Sequence, residues 1–398
     1  MAVVYRHPPP LHPLIPKYLE AIESPDDTKG SLTFGVELEF LVPFSRKDID
    51  DPFPDEKRPL FGYRDILKAD ITILDAITNH CDIEFRTDLE DEFHPPYRNI
   101  IRYDEWRILR DLSVKFRKEE CYHYRWVGRE ITSEVLKSDD PEVYTEKITK
   151  VCRAMRQLRV HLNDTTAVHV HVGLGDEPFS LLTIKKVITL ILFVDDMLMG
   201  LHHPARRTSA HCRLVSRCST IGRLEHSQRK TYDSLITRSL EHGMAEFIPD
   251  VADANQLLQA TDSIVELARM MDDPLHFCYY RGSISFAKFL PVDEVGGNTQ
   301  TIEFRQMAGC LDPDQIIHWV KVCIGIVDFA RLSNGGQYKG LIGKLMAKES
   351  TFSVFDFLSE LGLVEEEKHF RAKVEGYKSN PDFYPGESSG SMFVPELD

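Results

Sequence analysis

The sequence predicts an α+β fold on an antiparallel β-sheet, and three observations carry that expectation. Residues 31–43 alternate apolar and polar side chains, the mark of a half-buried strand. The same apolar-back, polar-front alternation returns near residues 130, 169 and 303. Between these separated strands lie long insertions with helical spacing.

Taken in order, residues 1–30 read as a polar leader and 31–43 as the first strand. Residues 44–60, rich in Pro, Asp and Lys, suit a surface loop, and Ile66, Leu67, Ile71, Leu74 and Ile77 give 61–80 helical spacing. Short strands broken by Pro95-Pro96 are expected over 81–113, and a further strand over 124–136. A helix opened by Pro141 is predicted over 140–163, a strand over 166–173 and a long apolar helix over 178–201. A basic segment fills 202–230 and helices fill 231–272. Strands follow at 279–290 and 299–306, then helices at 312–333 and 352–361. The working division is a single catalytic domain over 31–365 and a tail over 366–398. Its Pro-Gly-Glu-Ser-Ser-Gly-Ser run predicts partial disorder from Asn380.

Composition narrows the function. With 42% hydrophobic and 28% charged residues, the 398-residue chain can bury a core of ordinary globular kind. A net charge of −15 argues against nucleic acid and against an anionic membrane face. The most apolar run, Val187 to Val194, stops at Asp195-Asp196, well short of the roughly 20 residues of a membrane span. The eight cysteines form no Cys-x-x-Cys pair, which fits reduced thiols in a cytoplasmic protein. No coiled-coil heptad speaks to oligomeric state.

The chemistry sits on the strand fronts. Side chains alternate faces along a strand. Leu32, Phe34, Val36, Leu38, Phe40 and Val42 therefore share one face, and Glu37 and Glu39 the other, about 7 Å apart. In Val168-His169-Val170-His171-Val172 both histidines share a face, and in Ile302-Glu303-Phe304-Arg305 so do Glu303 and Arg305. Glu130, Thr132 and Glu134 repeat the pattern. Carboxylates this close on apolar strands need a metal or an arginine over them; the alternative for one strand alone is a solvated sheet face. Several carboxylates with an imidazole form a hard, oxygen-rich ligand set suited to Mg²⁺ or Mn²⁺.

Other site types fit poorly. Glu177 stands six residues after His171, too far for a cupin set. There is no His-Glu-x-x-His helix, no Gly-x-Ser-x-Gly elbow and no phosphate-cradling Gly-x-x-x-x-Gly-Lys-Ser/Thr loop. Any ATP must be held by metals and arginines. Between His202 and Lys230 the chain offers Arg206, Arg207, Arg213, Arg217, Arg223 and Arg229 against the single acid Glu225. Guanidinium forks match phosphate oxygens, although a solvated basic helix face would look the same.

The ordered set Gly35-Val36-Glu37-Leu38-Glu39-Phe40, Trp106 with Asp111-Leu112-Ser113, Glu130, His169-Val170-His171-Val172-Gly173, Pro204 to Arg207 and Glu303-Phe304-Arg305-Gln306 resembles the amidoligase family. That family belongs to the carboxylate–amine ligase superfamily, alongside glutamine synthetase and glutamate–cysteine ligase. The resemblance runs from about residue 31 to 333. It implies a curved antiparallel sheet with a polar concave face and helices packed on the convex face. It also implies Glu37, Glu39, Glu130, His169 and Glu303 as ligands of Mg²⁺ or Mn²⁺, and Arg206, Arg207 and Arg305 as contacts to ATP. Glu303 and Arg305 are expected in the catalytic machinery with Asp111, which would orient or deprotonate an amine. Ser113, His171, Arg281 and Ser283 are expected at the substrate.

Three positions depart from the family pattern. Ser133-Glu134 stands for Ser-Pro, Tyr280 to Ser285 lacks an Asn, and Ala210 stands for an Asn. Ile-Glu-Phe-Arg occurs twice, and the copy at Ile83 to Arg86 is expected to be a structural strand or a substrate-side contact. The implied activity is ATP- and metal-dependent amide formation, through an acyl phosphate, on an amino acid, a peptide or a related small molecule. A metal-dependent hydrolase and a non-catalytic peptide or amino-acid binder are the alternatives.

Overall fold

The computed structural model describes residues 29–87, 103–116, 122–223, 258, 261–271, 282–291, 299–347, 351–379 and 392–397. Eight strands form one open sheet: β1 (Thr33–Ser45), β2 (Phe85–Thr87), β3 (Trp106–Arg110), β4 (Tyr124–Thr132), β5 (Leu136–Lys137), β6 (Ala167–Gly173), β7 (Ile284–Ser285) and β8 (Ile302–Ala308). The order across it is β2-β3-β4-β1-β6-β8-β7, with β5 continuing the β4 side of β1. Every pairing is antiparallel except β2 with β3 at one edge. The α+β expectation holds.

The alternation read in the sequence sets the two faces. Phe34, Val36, Leu38, Phe40, Val42 and Phe44 of β1, Val168, Val170 and Val172 of β6, and Ile302 and Phe304 of β8 are buried in one apolar core. Each such side chain contributes about 1.5–3 kcal/mol. The core is completed by helices α1 (Ala69–Thr78), α2 (Pro141–Arg156), α3 (Leu181–Met199), α4 (Ile264–Met271) and α5 (Pro313–Leu332), with α6 (Gly335–Met346), α7 (Val354–Glu360) and α8 (Val364–Ser379) behind them. Caps fix their starts. Asp140 accepts from Val143 N, Ser180 from Thr183 N, and Asp312 from the N–H groups of Asp314 and Gln315. Among the described residues no helix is long and apolar enough to cross a membrane.

Three expectations about elements need correction. The helix predicted over 140–163 ends at Arg156, because the pattern switches there from helical spacing to period two. Leu158, Val160 and Leu162 alternate into the core, and residue 161 pairs through its backbone with Leu41 at 2.9 and 3.0 Å. The strand predicted over 124–136 breaks after Thr132. Ser133 takes over, its N–H donating to Val36 O at 2.8 Å and its Oγ accepting from Val36 N at 2.9 Å. Glu134 leaves the strand front and pairs with Lys147 of α2. Of the strand predicted over 279–290, residues 279–281 lie outside the described set; the described part holds only β7, followed by a 3-10 turn at Ala287–Phe289.

The segment left as a tail from 366 begins inside α8, and Phe393 and Val394 are buried. Residues 380–391, where disorder was expected, lie outside the described set, as do most of 231–272. Phe85 and Arg86 of the first Glu-Phe-Arg open the edge strand β2, where Arg86 pairs with Glu105 at 2.8 Å.

Candidate metal centre

Strand register brings the predicted acids together on the front of the sheet. Glu37 lies opposite His169 on β6, and Glu39 lies opposite Glu130 on β4. His171 stands between Gly35 and Glu303 in the next row. Residues opposite one another share a face, so β1 carries one carboxylate toward each flank. The result is two groups in which three ligand atoms lie within 4.8 Å of one another: Glu37, His169 and Glu303, and Glu39, Asp111 and Glu130.

In the first group, His169 Nδ1 is 3.0 Å from Glu37 Oε2 and 3.6 Å from Glu303 Oε1. His171 Nε2 is 3.0 Å from Glu37 Oε1, and its Nδ1 is 3.2 Å from Thr301 Oγ1. Arg305 pairs with Glu303 and approaches His169 Nδ1 at 3.4 Å. Burial pushes Glu37 up, but the charge of His171 and the hydrogen bonds of both histidines outweigh it and hold Glu37 well below the usual carboxylate range. Burial also pushes Glu303 up, and Arg305, His171 and His169 bring it down to about 2. For His169, burial and then Arg305 lower the imidazole to about 4. Burial lowers His171 as well, but Glu37 more than restores it, so its net shift is upward.

The second group has the opposite character. Burial and then Asp111 push Glu39 up to about 8, with Arg305 and Arg206 offsetting part of this. Burial, then Glu37, Asp111 and Glu39, lift Glu130 well above its ordinary range. Asp111 reaches the group from the loop after β3, where its Oδ1 accepts from Ser113 N at 2.6 Å and Ser113 Oγ at 2.7 Å. The loop passes directly over β4. A Cβ on Gly128 would meet Val114 O at 2.3 Å, so only glycine admits that crossing.

A divalent cation fits these residues on the structure's own terms. His169 Nε2 is buried, has no hydrogen-bond partner and lies 3.5 Å from Glu39 Oε1. Two such electron-pair donors require a proton or a cation between them. The donor set, carboxylates with one imidazole in the first group and carboxylates alone in the second, suits Mg²⁺ or Mn²⁺.

All five expected metal residues, Glu37, Glu39, Glu130, His169 and Glu303, therefore meet at this centre. Asp111 joins them in the second group, which no spacing in the sequence announced. Of the arginines expected at phosphates, only Arg305 has its guanidinium at the acids. Arg207, in the 3-10 turn Pro204–Thr208, is paired with Asp196 of α3 and 45% exposed. Arg206 is buried and donates to the backbone of β8. Ser113 is engaged by Asp111, and the Ser283 hydroxyl is taken by Asp195 at 2.6 Å rather than facing a substrate. Arg281 lies outside the described residues. Sequence reasoning also missed Thr301, whose signal was its place two residues before Glu303, on the same face by alternation.

The family model described as a putative amidoligase enzyme matches residues 30–327. No curated protein matches the chain.

Proposed function

This chain belongs to the amidoligase family, and from that premise we propose that it is an ATP- and divalent-metal-dependent carboxylate–amine ligase. The observation that carries the reading is the pair of acid groups on either flank of β1. The residues Glu37, His169 and Glu303 would hold one Mg²⁺ or Mn²⁺, and Glu39, Asp111 and Glu130 a second. Bound there, such ions supply Lewis-acid stabilisation of phosphate charge during phosphoryl transfer.

The chain's own residues supply the rest. Arg305, held in the charged state by its acidic neighbours, offers a guanidinium to phosphate oxygens. Glu303 and the buried His169 keep that guanidinium on the front face. The proposed chemistry runs through transfer of the γ-phosphoryl group to a substrate carboxylate. An amine then attacks the acyl carbon, forming the amide bond as phosphate leaves with the C–O bonding pair. The amine also loses a proton in that step, and the departing phosphate takes it up. Asp111, whose Oδ1 already accepts from Ser113, acts through the second acid group rather than as an isolated base. The substrates are an amino acid, a peptide or a related small molecule.

The test pairs Mn²⁺ titration with a screen of carboxylate–amine pairs for ADP release. Release that needs metal, acid and amine together supports ligation. Product formed from an amide without ATP would point to hydrolysis, and metal binding with no turnover on any pair to a binding protein.

A further inference from the structure

On the helix side of β8, behind the acid groups, two charged side chains are buried: Arg206 is 1% exposed and Asp195 5%. Such burial is costly unless hydrogen bonds hold each charge, so their partners show what they hold. Arg206 donates through Nη2 to Arg305 O at 2.7 Å and through Nε to Gln306 O at 3.4 Å. Cys212 Sγ reaches the same Arg305 carbonyl at 3.2 Å. Asp195 accepts from Ser283 Oγ at 2.6 Å, Val215 N at 2.7 Å and Gln306 Nε2 at 3.4 Å.

These contacts converge on one irregularity. Along β6 and β8, Val170 pairs with Phe304 but Val168 pairs with Met307. A step of two residues on β6 thus meets a step of three on β8, and Arg305 and Gln306 share the place opposite His169. That is a β-bulge, which breaks the ladder locally and re-aims a side chain. The bulge carbonyls need donors from elsewhere, and Arg206 supplies them. On the other face of the same bulge, Arg305 reaches Glu303 and His169.

We propose that Arg206 and Asp195 are positioning residues, which fix the Arg305–Gln306 bulge from the helix side and thereby hold Arg305 against Glu303 and His169. The inference rests on the reading of Glu37, His169 and Glu303 as a metal centre. Arg206, expected from the sequence to touch ATP, thus acts through the backbone of Arg305. A lysine at 206 keeps the charge but loses the fork that serves two carbonyls at once.

The test follows Mn²⁺ by electron paramagnetic resonance on the full chain. In the unaltered protein two ions are expected to bind. R206K is expected to weaken the ion at Glu37, His169 and Glu303 about tenfold, as changes around a ligand shell do. It should leave the ion at Glu39, Asp111 and Glu130 unchanged. On an E303Q background R206K should add no further loss, because both act through the same carboxylate. D195N should give the same pattern and carries the test if R206K does not fold. Wild-type affinity for both ions in R206K and D195N overturns the proposal. So does equal weakening of both ions alongside a falling thermal midpoint, which marks general loosening. An unaltered protein that binds no Mn²⁺ removes the metal reading itself, and this proposal with it.

Discussion

On one flank of β1, Glu37 shares its group with a histidine and with Glu303, which is paired to Arg305. On the other, Glu39 groups with two more carboxylates, Asp111 and Glu130, with His169 Nε2 3.5 Å from its Oε1. Both groups are built from the same strand, yet their electrostatics are opposed. Glu37 and Glu303 are held ionised by basic neighbours, whereas Glu39 is pushed to about 8 and Glu130 lies well above its ordinary range. The first group is charged before any ion arrives, while the second must shed protons to accept one.

The largest effect expected from this asymmetry is at Glu37. Glu37→Gln should lower metal-dependent ADP release more than about 100-fold, since it removes a ligand rather than a supporting contact. The fold should survive, as judged by circular dichroism. Unchanged release would break the assignment of the first group.

The next is a difference in pH dependence. Calorimetry of Mn²⁺ binding at pH 7, in buffers of different ionisation heat, should show proton release with the ion at Glu39 and little with the ion at Glu37. Affinity of the second group should rise as pH climbs toward about 8, the position of Glu39. Ion-free stability should follow the same contrast. Glu39, raised from 4.5 to about 8, contributes stability that is full below pH 4.5 and lost as pH rises through about 8. Glu303, lowered from 4.5 to about 2, contributes stability present above pH 4.5 and lost as pH falls through about 2. Glu39→Gln should therefore raise the thermal midpoint of the ion-free protein at pH 8, and Glu303→Gln should lower it.

A smaller effect is expected at Gly128. The Gly128→Ala methyl meets Val114 O, which should cost about 1–3 kcal/mol of stability in denaturant unfolding. It should also displace Asp111, weakening the second ion more than the first; equal weakening would separate the loop from that group. The smallest is Arg207→Ala. Its exposed pair with Asp196 predicts a stability change within about 0.5 kcal/mol and no loss of nucleotide binding. A large loss of nucleotide would restore the phosphate role read from the sequence.

Much of this site was legible because strand alternation is a two-residue code. Glu37 with Glu39, His169 with His171, and Glu303 with Arg305 could each be assigned to a front face from spacing alone. What alternation does not give is register, and register decides that Glu37 meets His169 while Glu39 meets Glu130. It also cannot place a loop, so Asp111 was visible as a motif but not as a member of the second group. The bulge escaped for a related reason: it shows only as a skipped core position between Phe304 and Met307, at the end of the predicted strand. Among helices, the run Leu158-Arg159-Val160-His161-Leu162 did carry a period-two signal, overridden by the strong helical pattern before it. Arg206 and Arg207 were indistinguishable in sequence, and only packing buries one and exposes the other.

The centre draws its side chains from residues 37, 39, 111, 130, 169 and 303, on four strands and one loop. None of the groups can form from a local stretch of chain, since Glu37 must wait for Glu303 to be added beside His169. Closing contacts across such separations is slow compared with forming helices. During synthesis from the N-terminus, Glu37, Glu39 and Glu130 emerge long before the strand that completes the first group. Any ion binding at that group would accordingly come late in folding, and would report that the whole sheet, through β8, has assembled.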